Sequence, residues 1–177
     1  FFSATLLPIQ YYKKLLSTGE DNYAVYATTV FEQSQRFLAV GTDVSSKYTR
    51  RNQQEFQRIA AYIYETAKAK TGNYMVFFPS YKMMQQVWEV FQEREGLLEE
   101  MDSICQESGM TEEERELFLN HFSGHREKTL IGFCVMGGIF AEGIDLKGES
   151  LIGVLIVGTG LPQISNEREI LKQFYDE

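Results

Sequence analysis

Residues 72–81 read Gly-Asn-Tyr-Met-Val-Phe-Phe-Pro-Ser-Tyr. Tyr74 to Phe78 is a continuous apolar run with turn residues on both sides, the pattern of a strand buried on both faces. Pro79 breaks the run, and Ser80 is placed to cap a helix over residues 81–93. Upstream, residues 53–70 space Phe56, Ile59, Ala60, Ile63 and Ala67 at helical intervals. Gly72 and Asn73 close that helix, and Lys68 and Lys70 in its last turn suit its dipole. A helix, a buried strand and a second helix in succession are the unit of a parallel sheet.

The same alternation continues outward. Residues 129–136 and 151–157 are two more buried-type strands, and residues 23–31 and 37–44 have strand composition, rich in β-branched and aromatic residues. Thr111 followed by Glu114 is a capping box that opens a helix to about Phe122. Residues 97–109 are the least regular part, either a strand plus loop or a mobile insertion. No internal repeat or low-complexity linker is present. The expected fold class is α/β, a parallel sheet with right-handed crossovers that place helices on both faces.

Composition narrows the class. Hydrophobic residues are 44% and charged residues 24% of 177 residues, which suits one globular domain. No stretch approaches the ~18 apolar residues of a membrane span, and no signal peptide pattern opens the chain. The chain starts at Phe1-Phe2 without an initiator Met and stops at Tyr175-Asp176-Glu177; both ends read as cuts in a longer polypeptide. The two cysteines, Cys105 and Cys134, make no metal framework. Cys134 sits in an apolar run as a small hydrophobe, usage that fits a reducing cytoplasm. The net charge of −8 argues at first against nucleic acid, but residues 89–116 alone carry −9 and the rest +1. The acidity is regional, and phosphate binding follows local potential.

Open parallel sheets bind ligands beyond the carboxyl ends of their strands. The segments there are Pro79-Ser80-Tyr81, Ser45 to Arg51, Gly137 to Asp145 and Gly158 to Pro162, each small, polar or charged. Ser46, Lys47, Arg50 and Arg51, with Tyr48 among them, combine cations, a hydroxyl and an aromatic ring, as single-strand binding does; a solvated basic loop is the plain alternative. Ser80 and Tyr81 can bond a phosphate through hydroxyls and the free amides of a helix start, or Ser80 can simply cap. At Glu142-Gly143-Ile144-Asp145 a carboxylate can accept from a ribose hydroxyl, and Gly143 lets backbone approach a sugar or phosphate. The alternative there is an Asp N-cap beside a solvated Glu. Gly158-Thr159-Gly160 lacks the third glycine of a dinucleotide fingerprint, and Pro162 interrupts the helix start it needs. His121 and His125 have no third metal ligand at a recognisable spacing. Met84, Trp88 and Phe91 lie at helical spacing and read as core.

Three segments carry a resemblance. Phe2-Ser3-Ala4-Thr5-Leu6 resembles motif III of superfamily 2 helicases. Val76-Phe77-Phe78-Pro79-Ser80-Tyr81 is similar to motif IV of the XPD/DinG branch, and Gly138 to Leu146 to its motif V. The strand and Gly-Leu-Pro turn at 154–162 follow in the order of that branch, and residues 93–128 are the weakest stretch. The resemblance implies a RecA-like, P-loop NTPase-type lobe, the C-terminal motor lobe of an ATP-dependent DNA helicase. Residues 1–22 would then be the end of motif III and a linker from a first lobe, and 23–177 the second lobe, truncated before motif VI. It implies ATP-driven translocation on single-stranded DNA, 5′ to 3′, in the cytoplasm and away from membranes. Ser3, Thr5, Glu142, Gly143 and Asp145 would serve ATP binding and coupling. ATP and Mg2+ would be held mainly by the first lobe, because no G-x-x-x-x-G-K-[ST] loop occurs here: Lys128-Thr129 is preceded by Glu127, not glycine. No complete catalytic set lies in the chain. The rival reading is a stand-alone single-stranded nucleic-acid binding module without ATPase activity. A small-molecule α/β enzyme is disfavoured because no nucleophile–base pair lies within the motif loops.

Overall fold

The computed structural model describes residues 7–17, 19, 22–94, 97–124, 126–141, 143–160 and 165–176. Two compact units divide at Val40 and Gly41. The first contains helix α1 (Ile9–Leu16), whose Lys13 Nζ donates to the Asn22 carbonyl at 2.5 Å. The described residues from 22 to 40 form no strand, and Tyr23, Val25, Val30 and Phe31 are largely exposed. The strands expected over 23–31 and 37–44 are therefore absent. β-propensity measures how well a side chain fits a pleated, half-buried surface, and without a partner strand that surface does not exist.

The second unit holds a four-stranded parallel sheet in the order β2-β3-β1-β4. Its strands are β1 (Asn73–Phe78), β2 (Met101–Cys105), β3 (Thr129–Val135) and β4 (Gly153–Ile156). Asn73 pairs with Leu130 and Phe78 with Val135 at the sheet's centre, while Tyr74 to Phe77 pair with Gly153 to Ile156. The crossovers carry α2 (Gln53–Ala69) before β1, α3 (Tyr81–Gln92) and the short α4 (Leu97–Glu100) before β2, and α5 (Glu112–Asn120) before β3. Helix α6 (Asn166–Asp176) follows β4.

Alternation along the strands sorts side chains to two faces. Tyr74, Val76 and Phe78 of β1 join Ile131, Phe133 and Val135 of β3 beneath α2 and α3. Phe56, Ile59, Ile63 and Ala67 of α2 and Met83, Val87 and Phe91 of α3 complete that core, the helical stripe expected from spacing. Met84 is also fully buried, and Trp88 packs against this core while its indole N–H donates to Ser103 Oγ at 3.2 Å. On the other face Met75, Leu130 and Cys134 pack with Phe118 of α5 and with Phe122 and Phe140. Gly132 is small for a reason: a Cβ there would fall 2.6 Å from the Phe122 ring. Burial holds the thiol of Cys134 far above its ordinary range and that of Cys105 up to about 11. Both stay protonated near neutrality, as inert thiols do.

Helix starts follow their caps. Asn52 accepts from the Glu55 N–H at 2.9 Å, Ser80 from the Met83 N–H at 3.4 Å, and the Thr111–Glu114 box closes in both directions. Residues 97–109 resolve into the short helix α4, the edge strand β2 and a loop. Asp102 of β2 meets Arg126 at 2.7 Å and Lys128 at 3.1 Å. Among the described residues no helix is long and apolar enough to cross a membrane.

Candidate nucleotide and nucleic-acid edge

In a parallel sheet all carboxyl ends open on one edge, so the turns leaving the four strands are neighbours. Three bonds tie their roots together. Met136 N–H donates to Phe78 O, Val157 N–H to Phe77 O and Gln106 N–H to Phe133 O, each at 2.8 Å. On this edge lie Pro79-Ser80-Tyr81 after β1, Gln106 after β2, residues 136–141 and Gly143 after β3 and Gly158 to Gly160 after β4. Gly160 sits beside the Met136 side chain, where a Cβ would be 3.1 Å from Sδ.

The basic loop reaches the same edge. Gly158 adopts φ +81°, and a Cβ there would collide with Ser46 Oγ. Ser46 thus lies directly over the end of β4. The loop is folded around Glu55, which is buried at the first turn of α2. Glu55 accepts from the Ser45 N–H and from Arg50 Nη2, the latter at 3.0 Å. Arg51 Nε donates to Ser46 O at 3.0 Å, and its guanidinium lies 5.7 Å from the Tyr48 ring centre. Lys47 is exposed. Of the three cations, Arg50 is already committed to a buried carboxylate, while Lys47 and part of Arg51 face outward.

The turn after β3 is held from α5. Arg115 Nε donates to Ile139 O at 3.0 Å and Nη2 to Gly143 O at 3.1 Å, while Nη1 pairs with Glu112 at 2.6 Å. One guanidinium thus fixes both sides of the turn. Gly143 takes φ +71°, a left-handed conformation in which an L side chain is strained. Beyond it Asp145 is exposed and pairs with the equally exposed Lys147 at 3.1 Å. Such a solvated pair is weak and leaves the carboxylate available to a ligand.

Ser80 acts as the helix cap, and Tyr81 Oη accepts from Gln106 Nε2 at 2.7 Å. The edge therefore brings together Ser46, Lys47, Arg50, Arg51, Ser80, Tyr81 and Gly143, while Asp145 follows on the segment that returns to the other end of the sheet, where the Glu149 and Ser150 carbonyls accept from Asn73 Nδ2. Ser3, Thr5, Glu142 and the Leu161-Pro162 turn lie outside the described residues. Three residues that shape the edge escaped sequence reading: Glu55, Gln106 and Arg115. Glu55 carries a faint signal, an acid three residues after an Asn cap. Its carboxylate serves the basic loop and leaves the cap's own N–H alone. Gln106 sits in the irregular stretch and Arg115 in the acidic helix α5, and neither has a local signal.

An open parallel α/β sheet with polar, glycine-bearing turns gathered on one carboxyl edge is the architecture of α/β domains that bind ligands beyond their strand ends. A family model described as "Helicase C-terminal domain" matches residues 63–177. The chain belongs to that family, and within superfamily 2 it is of the XPD type. It is 31% identical over 179 residues to the ATP-dependent DNA helicase XPD of Sulfolobus acidocaldarius, covering 97% of this chain and 30% of the relative. It is 29% identical over 119 residues to the ATP-dependent DNA helicase CHL1 of Eremothecium gossypii, covering 66% and 15%. A solved XPD helicase structure superposes with TM-score 0.57 at 25% identity, covering 77% of this chain and 23% of that one. A second, in its apo form, gives 0.55 at 26%, covering 74% and 25%. The chain spans less than a third of the length of these relatives.

Proposed function

We propose that this chain works as the second motor lobe of a two-lobed DNA helicase that hydrolyses ATP while moving 5′ to 3′ on a single strand. The observation that supports the reading is the shared edge: a glycine-bearing turn held by Arg115 and a hydroxyl-and-cation surface open on the same side of one sheet. In this reading ATP lies between the edge and the first lobe. Gly143 lets the turn approach the sugar, and Asp145 accepts from a ribose hydroxyl. Ser46, Lys47, Arg51, Ser80 and Tyr81 follow the strand's phosphates, which need donors and positive charge but no base reading. Arg50 shapes the loop through Glu55. Ser3, Thr5 and Glu142 are assigned to coupling and nucleotide contact by their motif positions. Opening and closing of the cleft then moves the two halves of the track relative to each other.

Among the described residues no group of three His, Cys, Asp or Glu is placed to hold a metal. The resemblance assigns Mg2+, with the phosphates, mainly to the first lobe.

Two variants of the intact two-lobed enzyme test the halves of this proposal. Asp145→Ala is expected to lower DNA-stimulated kcat/KM for ATP by about tenfold or more, the scale of one charge-assisted hydrogen bond. Unchanged kcat/KM removes the turn from the nucleotide cleft. Changing Arg50 and Arg51 together to Ala should flatten the plot of log affinity for single strands against log salt by about 0.7, one phosphate's worth, because Arg50 is spent on Glu55. An unaltered slope takes the loop off the track.

A further inference from the structure

Gln106 is the first residue beyond β2 and only 3% exposed. Its main-chain N–H extends the sheet by donating to Phe133 O. Its side chain reaches across the carboxyl edge and meets both neighbouring turns. Oε1 accepts from the Val135 N–H at 2.9 Å, and Nε2 donates to the Tyr81 hydroxyl at 2.7 Å. Gly138, at the start of the turn after β3, leaves the room this amide occupies: a Cβ there would be 3.2 Å from Nε2 and 3.1 Å from Val135 O.

The direction of the amide follows from chemistry. A backbone N–H only donates, so the side-chain oxygen must face Val135 and the NH2 must face Tyr81. A carboxamide NH2 also only donates. The Tyr81 oxygen is therefore an acceptor toward Gln106, and its own hydrogen is not consumed there. A tyrosine hydroxyl has one hydrogen to give, and Tyr81 keeps it for another acceptor.

We propose that Gln106 is a positioning residue that sets the polarity of the Tyr81 hydroxyl, directing its hydrogen outward to a phosphate oxygen of the bound strand. The inference rests on the reading of Tyr81 as a backbone contact. A carboxylate at position 106 would reverse the polarity without changing the shape. One carboxylate oxygen would still accept from Val135, and the other would take the Tyr81 hydrogen. The hydroxyl would then turn only lone pairs toward the anionic strand.

The test uses the intact two-lobed enzyme and a fluorescent oligothymidylate, with affinity read by anisotropy. Tyr81→Phe and Gln106→Glu are each expected to weaken binding about fivefold, the worth of one solvent-facing hydrogen bond to an anion. The double variant should bind no more weakly than Tyr81→Phe alone, because both remove the same donor. A further loss in the double variant means simple charge repulsion and overturns the proposal. Loss in Tyr81→Phe with none in Gln106→Glu also overturns it while leaving the Tyr81 contact intact. No loss in Tyr81→Phe overturns the contact itself, and the inference with it. Gln106→Met supplies the control for folding: it fills the space, makes no hydrogen bond and leaves the hydroxyl free to donate. It should bind more weakly than wild type but more tightly than Gln106→Glu, because the hydroxyl loses its set polarity without gaining a competing acceptor; binding equal to wild type overturns the proposal. A loss as large as that of Tyr81→Phe assigns Gln106 a merely structural role and sinks the polarity argument.

Discussion

Purified by itself, the 177-residue chain is expected to release no phosphate from ATP above background at any concentration of single-stranded DNA. Hydrolysis needs groups that gather charge on the transferred phosphoryl, and the usual cradle is a glycine-rich loop leaving a strand's carboxyl end. The sequence contains no such loop. Its nearest imitation, Lys128-Thr129, is doubly unsuitable. Thr129 opens β3 at the amino end, the opposite edge from the turns, and Lys128 pairs with Asp102 at 3.1 Å. Removing even one charge-stabilising donor from an active site costs about 10²–10³ in rate. A lobe without the loop should therefore fall at least about a thousandfold below the two-lobed enzyme. Phosphate release by the isolated chain, stimulated by DNA, would refute the assignment of the phosphates to another lobe.

The largest stability effect is expected at Phe133. It is fully buried on the central strand, stacked on Phe78 with ring centres 5.8 Å apart and inclined to Phe91 at 5.3 Å. It is the point where β1, β3 and α3 meet. Phe133→Ala removes an aromatic ring from a site whose walls are two other rings and strand backbone, so little can collapse into the space. A loss of about 3–5 kcal/mol is expected. Against a typical total of 5–15 kcal/mol that is a large part of the fold's stability. Urea denaturation should show the midpoint falling with the slope unchanged. A loss under about 1 kcal/mol would mean that the two helices do not pack on this face as described.

What the sequence disclosed and what it hid have a common physical basis. β1 and β3 were legible because a strand between two others is apolar on both faces and stands out against its turns; β4, expected to be buried in the same way, is an edge strand that leaves Val154 and Ile156 exposed and was legible by its apolar composition alone. β2, at the opposite edge, was not, because it keeps polar company: Asp102 bonds two cations, and Ser103 accepts from Trp88 and Gln92. The segment 23–31 misled for the converse reason, carrying strand composition without a strand to pair with among the described residues. Of the candidate site, the turns could be located, since strand ends fix them. Their supports could not. Glu55 holds a loop ten residues earlier, Gln106 joins Tyr81 to Val135, and Arg115 spans to Ile139 and Gly143. Each of these is a relation across the fold, invisible to spacing along the chain.

The order β2-β3-β1-β4 also has a consequence for biosynthesis. Asn73 finds its partner only at Leu130, so the most apolar strand leaves the ribosome well before the one it must lie against. At roughly 5–20 residues per second the wait is several seconds. During that interval Tyr74 to Phe78 can be covered only by α2 and α3, which flank it directly in sequence and pack on one of its faces. The other face, Met75 and Phe77, stays bare until α5 and β3 have been made, and it is there that a nascent chain of this order most needs a chaperone's cover.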